Sequence, residues 1–118
     1  MRILLIDDNE SITTMLSKFL NSKGFETVVT NDPMKGLRHI QKEQFDVILL
    51  DISMPEISGF NIIQLLATDD ILKNQNIFIF SANAYSNIQI KDLLRKEGIN
   101  GCLKKPMKLD EILTAITN

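Results

Sequence analysis

Four places in this 118-residue chain set polar residues directly after apolar runs, and the chemistry of the four is coherent. Asp7 and Asp8 follow Ile3-Leu4-Leu5-Ile6, and Asp51 follows Val47-Ile48-Leu49-Leu50. Ser81 follows Ile77-Phe78-Ile79-Phe80, and Lys105 precedes Pro106 just after the stretch from Ile99 to Leu103. Three carboxylates sharing one pocket repel: at about 5 Å and an effective dielectric of ~20, each ionised pair costs on the order of 3 kcal/mol. Such a cluster holds a proton or binds a cation. An all-oxygen set of carboxylates suits Mg²⁺, which keeps several waters and takes phosphate oxygens as further ligands. Lys105 and Ser81 add a point charge and a hydroxyl donor, which is what a phosphoryl group asks of a protein. The only histidine, His39, falls in a helical stretch away from these positions, which argues against a hydroxyl nucleophile with a histidine base. A carboxylate is left as the nucleophile, and an ionised carboxylate needs no base.

These residues can act together only if the apolar runs bring them to one edge. The runs Ile3 to Ile6, Thr27 to Thr30, Val47 to Leu50, Ile77 to Phe80 and Ile99 to Leu103 read as five short strands. Between them lie helical stripes: Ile12, Met15, Leu16, Phe19 and Leu20; then Met34, Leu37 and Ile40; then Phe60, Ile62, Ile63, Leu66 and Ala67. A less regular helix is expected over roughly Tyr85 to Glu97, closed by Gly98, and a last stripe comprises Leu109, Ile112, Leu113 and Ile116. Asp32 and Pro33 read as the N-cap and first residue of the second helix, Gly24 as the end of the first, and Asp69 to Gln75 as a polar linker. Strands that are apolar throughout rather than alternating belong to a parallel sheet covered on both faces. The expected fold is therefore α/β, a (βα)₅ doubly wound, flavodoxin-like five-stranded parallel sheet with helices on both faces. In such a sheet the carboxyl ends of the strands, where all the polar residues fall, are where ligands bind.

Composition narrows the class. Hydrophobic residues at 44% and charged residues at 24% are those of an ordinary globular domain, and the length fits one domain spanning 1–118. A net charge of -2 gives no reason to expect nucleic acid or a membrane surface as partner. No apolar run reaches the ~18 residues of a membrane span, and the stretch after Met1-Arg2 is too short for a signal peptide. Cys102 is the only cysteine, so no internal disulfide can form, and a cytoplasmic location is expected.

Asp7-Asp8, Asp51 with Met54-Pro55 and Gly59 behind it, Ser81-Ala82 and Lys105-Pro106 together resemble the receiver domain of two-component response regulators, in particular single-domain regulators of the chemotaxis type. The resemblance covers almost the whole chain, in order and at similar separations. It implies that Asp51 is the phosphoacceptor, taking a phosphoryl group from a phosphohistidine on a sensor histidine kinase or a histidine phosphotransfer domain. It implies further that Asp8 and Asp51 ligate Mg²⁺ directly, Asp7 through water, and Ser53 by its backbone carbonyl. Ser81 and Lys105 would each bind a phosphoryl oxygen, and the Lys105-Pro106 peptide would be cis. The resemblance also implies a downstream partner, or a second copy on phosphorylation, meeting the face built from helix four, strand five and helix five. The protein would then be a signalling switch that assists its own phosphorylation and dephosphorylation rather than an enzyme acting on other substrates.

One position departs from the family pattern. Three residues before the lysine, where receivers usually carry an aromatic side chain, this chain has Cys102. Ser53 and Asn83 occupy the positions that in receivers tune phosphoryl lifetime, and Tyr85 is the one tyrosine near Ser81. A Mg²⁺-dependent aspartyl-phosphate phosphohydrolase is the competing enzyme class, but it carries Asp-x-Asp where this chain has Asp51-Ile52-Ser53. A pseudo-receiver that only binds partners is the other competitor. Elsewhere the bland readings hold: Asp69-Asp70 and Lys104 facing solvent, His39 on or near the surface, Met15, Met34 and the phenylalanines of helices and strands in the core, and Cys102 a small buried hydrophobe.

Overall fold

The computed structural model describes residues 1–54, 57–82, 88–106 and 108–117. Five strands, β1 (Arg2–Ile6), β2 (Glu26–Thr30), β3 (Val47–Asp51), β4 (Ile77–Ser81) and β5 (Ile99–Lys104), form one sheet in the order β2-β1-β3-β4-β5. Every pairing is parallel, with Leu4 beside Val28 and Ile48, and Leu49 beside Phe78. The helices are α1 (Glu10–Ser22), α2 (Pro33–Lys42), α3 (Gly59–Thr68), α4 (Ile88–Leu93) and α5 (Leu109–Thr117). This is the expected doubly wound, flavodoxin-like α/β fold.

The strand order explains the two cores. The chain steps outward from β1 to β2 and then back across to β3, so the connections on either side of that reversal cover opposite faces. On one face Leu4, Ile6, Ile48, Leu50, Ile77 and Ile79 meet α2, α3 and α4 through Leu37, Ile63, Leu66 and Ile90. On the other face their sequence neighbours, among them Ile3, Leu5, Leu49 and Phe80, meet α1 and α5 through Leu16, Leu20, Ile112 and Ile116. Strand residues alternate between faces, so a strand covered on both sides must be apolar at every position.

Local chemistry sets the helix ends. Asn9 caps α1 by accepting from the Ile12 N–H at 3.1 Å, which leaves Asp7 and Asp8 without a capping role. Asp32 caps α2 ahead of Pro33 as expected, and Ser58 and Asn61 form a reciprocal capping box at the start of α3. Gly24 and Gly98, both at positive φ, turn the chain after α1 and α4.

Several expectations need correction. Met15 and Met34 are 44% and 36% exposed rather than core. The buried face of α1 is centred on Thr13, Leu16 and Leu20, and Met15 lies over ~100° round the helix from it. In α2 the Gly36 backbone settles onto Ile6, where a Cβ would come within 2.7 Å of its side chain, and this turns the contact away from Met34. Ala67 of the α3 stripe is exposed, and Phe19 and Phe60 are half-buried, whereas Phe78 and Phe80 are core. Cys102 is half-buried because β5 is an edge strand, packed on one side only. The linker after α3 contains a turn of 3₁₀ helix, Leu72–Asn74, with Leu72 buried. The described part of α4 is shorter than expected, and Tyr85 and Asn83 lie outside the described residues.

Candidate functional site

All the polar residues picked out above stand at the carboxyl edge of the sheet. Asp7 is the first residue past β1, Asp51 the last of β3, Ser81 the last of β4, and Lys105 the first past β5. The parallel register makes these ends neighbours: Asp51 pairs with Phe80, and Ser81 with Lys104. The Lys105 N–H donates to the Ser81 carbonyl at 3.0 Å, carrying the ladder one residue further and bringing the lysine over the site. The Lys105-Pro106 peptide is cis.

Asp51 is 1% exposed, and its carboxylate is the hub. Lys105 Nζ lies 3.1 Å from Asp51 Oδ1 and 3.5 Å from Asp7 Oδ2. The Ser53 N–H also donates to Asp51 Oδ1, at 3.2 Å. Behind the hub, the chain after β3 doubles back so that the Gly59 N–H donates to the Ile52 carbonyl at 3.0 Å. Any Cβ at Gly59 would come within 2.8 Å of the Asp51 carbonyl oxygen, so this close return requires glycine.

Asp7, Asp8 and Asp51 each offer a carboxylate oxygen, and these lie within 4.8 Å of one another. Asp7 is buried and Asp8 exposed. Burial pushes the Asp7 carboxyl up to about 6; the Asn9 N–H donating to it and the Lys105 ammonium pull the other way, while the Asp51 carboxylate reinforces the rise. Burial opposes the charge on Lys105, yet its hydrogen bond to Asp51, with the added charge of Asp7, holds its pKa above the ordinary lysine range. One cation thus faces three acids. The remaining negative charge calls for a proton or a further cation, and the oxygen-only donor set fits Mg²⁺. Two ligands at ~2.1 Å from the ion can stand no more than ~4.2 Å apart, a few tenths of an ångström from the spacing present.

The structure brings Asp7, Asp8, Asp51, Ser53 and Lys105 together, with Ser81 buried at the end of the adjoining strand. Sequence reasoning missed two residues that shape the site. Asn9 could have been found as the polar residue just ahead of a helical stripe. Asn31, whose side chain donates to the Asp7 carbonyl at 2.8 Å, carries no local signal, because the contact joins two distant turns.

A family model, the response regulator receiver domain, matches residues 3–117. The chain belongs to that family. Receiver domains are signalling phosphoacceptors of two-component phosphorelays; they bind Mg²⁺ in an acidic pocket and interact with histidine kinases or phosphotransfer proteins. This receiver is 30% identical over 98% of its length to the CAI-1 autoinducer sensor kinase/phosphatase CqsS of Vibrio cholerae, of which it spans 17%. It is 27% identical over 98% of its length to sporulation initiation phosphotransferase F of Bacillus subtilis, of which it spans 90%. Among solved structures, chemotaxis protein CheY4 of Vibrio cholerae superposes with a TM-score of 0.84 at 28% identity, over 98% of this receiver and 95% of that chain. Among the described residues, no helix of this receiver is long and apolar enough to cross a membrane.

Proposed function

We propose that the 118 residues work as one receiver unit in which Asp51 accepts the phosphoryl group of a phosphohistidine. The observation that carries this reading is the buried Asp51 carboxylate at a strand end, 3.1 Å from Lys105 and beside two further acids. In the transfer, a carboxylate oxygen of Asp51 forms the new O–P bond as the N–P bond to the donor imidazole breaks, and that nitrogen takes up a proton. Lys105, whose raised pKa keeps it charged, pairs with Asp51 beforehand and with a phosphoryl oxygen afterwards. Ser81, at the end of the strand next to Asp51, donates to another oxygen. Asp8 and Asp51 directly, Asp7 through water and the Ser53 carbonyl would hold Mg²⁺, which when bound supplies the positive charge that the spread-out phosphoryl charge requires. With these groups preset, the domain assists its own phosphorylation and dephosphorylation.

The donor is a sensor histidine kinase or a histidine phosphotransfer domain. The output surface is the face made by α4, β5 and α5, offered to a downstream protein or to a second copy. Incubation with acetyl phosphate and Mg²⁺ followed by intact mass tests the assignment. Wild type gains one phosphoryl group and Asp51→Asn gains none; a modified mutant means that another residue is the nucleophile.

A further inference from the structure

We propose that Asn31, in the turn between β2 and α2, is the positioning residue that aims the Asp8 carboxylate into the site. The inference deepens the reading of Asp7, Asp8 and Asp51 as the cation-binding acids and rests on it. Asp8 poses a physical problem. Its side chain is exposed and, among the described residues, makes no hydrogen bond or ion pair, yet an oxygen of it stays within 4.8 Å of two other carboxylates that repel it. Only its backbone can hold it there.

On its carboxyl side that backbone runs into Asn9, fixed as the α1 cap with its N–H on Asp7 Oδ1; on its amino side it is held by the turn after β2. The Asp7 carbonyl and the Asp8 N–H belong to a single rigid peptide plane, so fixing the carbonyl fixes the direction in which Asp8 leaves it. The Asn31 side-chain amide donates to that carbonyl at 2.8 Å, while the Asp7 N–H donates to the Thr30 carbonyl at 3.3 Å. Two consecutive residues therefore grip Asp7 from both sides, one with backbone and one with side chain. A backbone donor could not continue the ladder here, because the Asp32 N–H turns back to Thr30 Oγ1 and Pro33 has none. The same Asn31 nitrogen donates to Thr13 Oγ1 at 2.9 Å, and that hydroxyl in turn donates to the Glu10 carbonyl at 3.1 Å. Thr13 is 1% exposed, so the far end of the chain of bonds is anchored inside α1. Asn31 itself is exposed, and truncating it leaves the core untouched.

Asn31→Ala and Thr13→Val separate aiming from general support. Mg²⁺ binding to each is measured by calorimetry, alongside thermal unfolding and the Asp8 amide resonance in chelator. Asn31→Ala is expected to weaken Mg²⁺ binding by about five- to tenfold, the equivalent of one hydrogen bond, and to shift the Asp8 resonance in metal-free protein. Its phosphorylation rate by acetyl phosphate recovers towards wild type when Mg²⁺ is saturating. Thr13→Val, which leaves the Asn31 to Asp7 bond in place, unfolds at lower temperature but keeps most of its Mg²⁺ affinity. Wild-type affinity in Asn31→Ala, or a greater loss in Thr13→Val than in Asn31→Ala, overturns the inference while leaving the proposed function standing. Failure of wild type itself to bind Mg²⁺ overturns both.

Discussion

The two ends of the sheet handle charge in opposite ways. At the amino ends of the strands the acids are exposed or half-buried and met at the surface: Arg2 reaches Glu43 at 2.8 Å and Glu26 at 3.6 Å, and His39 Nδ1 meets Glu43 at 2.8 Å. The Arg2 backbone N–H donates to Asp46 at 2.6 Å, and its guanidinium stacks on Phe45, 4.9 Å from the ring centroid. At the carboxyl ends two buried acids, Asp7 and Asp51, share Lys105, and a third, Asp8, stands beside them. The first arrangement ties β1 to the end of α2 and is wet, so solvent and salt screen the charge that Arg2 leaves over. The second is dry and unbalanced, and its excess negative charge is what gives a cation and a phosphoryl group something to bind. Where the task is to hold the fold, charges stay in water, which screens them; where the task is to bind, the excess charge is buried.

Substitutions can break that contrast. The largest effect is expected at the hub: Asp51→Asn abolishes phosphoryl gain in the mass assay and, by removing one of the repelling acids, raises the thermal midpoint in chelator. Lys105→Met is next. It strands two buried carboxylates and should cost on the order of 1–3 kcal/mol in metal-free denaturant unfolding, besides slowing phosphorylation. Glu43→Gln at the opposite end should cost least, and the loss should fade in high salt, since exposed pairs are screened.

Acid sharpens the comparison without any mutation. Asp7 is raised to about 6, so its proton leaves the unfolded chain at lower pH than the folded one. Its contribution to metal-free stability is full at low pH and is lost as pH rises towards and through about 6. Glu43 is lowered by the hydrogen bonds from His39 and Arg2, so its contribution is present above the ordinary carboxylate range and is lost as pH falls. Thermal midpoints in chelator across pH should show the first trend vanish in Asp7→Asn and the second in Glu43→Gln. Mg²⁺ should raise the midpoint more at pH 8 than at pH 5, because below about 6 the ion must displace the Asp7 proton.

Much of the site could be read in the chain because its chemistry sits at fixed distances from apolar runs. A buried strand announces itself by continuous apolar residues, and the residue that ends it must lie at an edge, so the sequence alone puts Asp7, Asp51, Ser81 and Lys105 there. The helix faces were less legible. Periodicity marked Met15 and Met34 as core, but how far a helix rolls on a sheet depends on its neighbours, and the close seat of Gly36 on Ile6 decided it for α2. Cys102 appeared fully buried because residue type says nothing about which strand lies at the edge.

What the amino-acid order settled alone is the set of elements, their parallel arrangement and the types of group that gather at one rim. Those follow from local propensity and from the rule that apolar runs must be covered. What only the folded chain decided is which partner each group finds: Lys105 bridging Asp51 and Asp7, and Asn31 holding the Asp7 carbonyl from 24 residues away. Such contacts depend on distances of a few tenths of an ångström between elements remote in sequence, and no pattern in the chain encodes them separately from the packing that produces them.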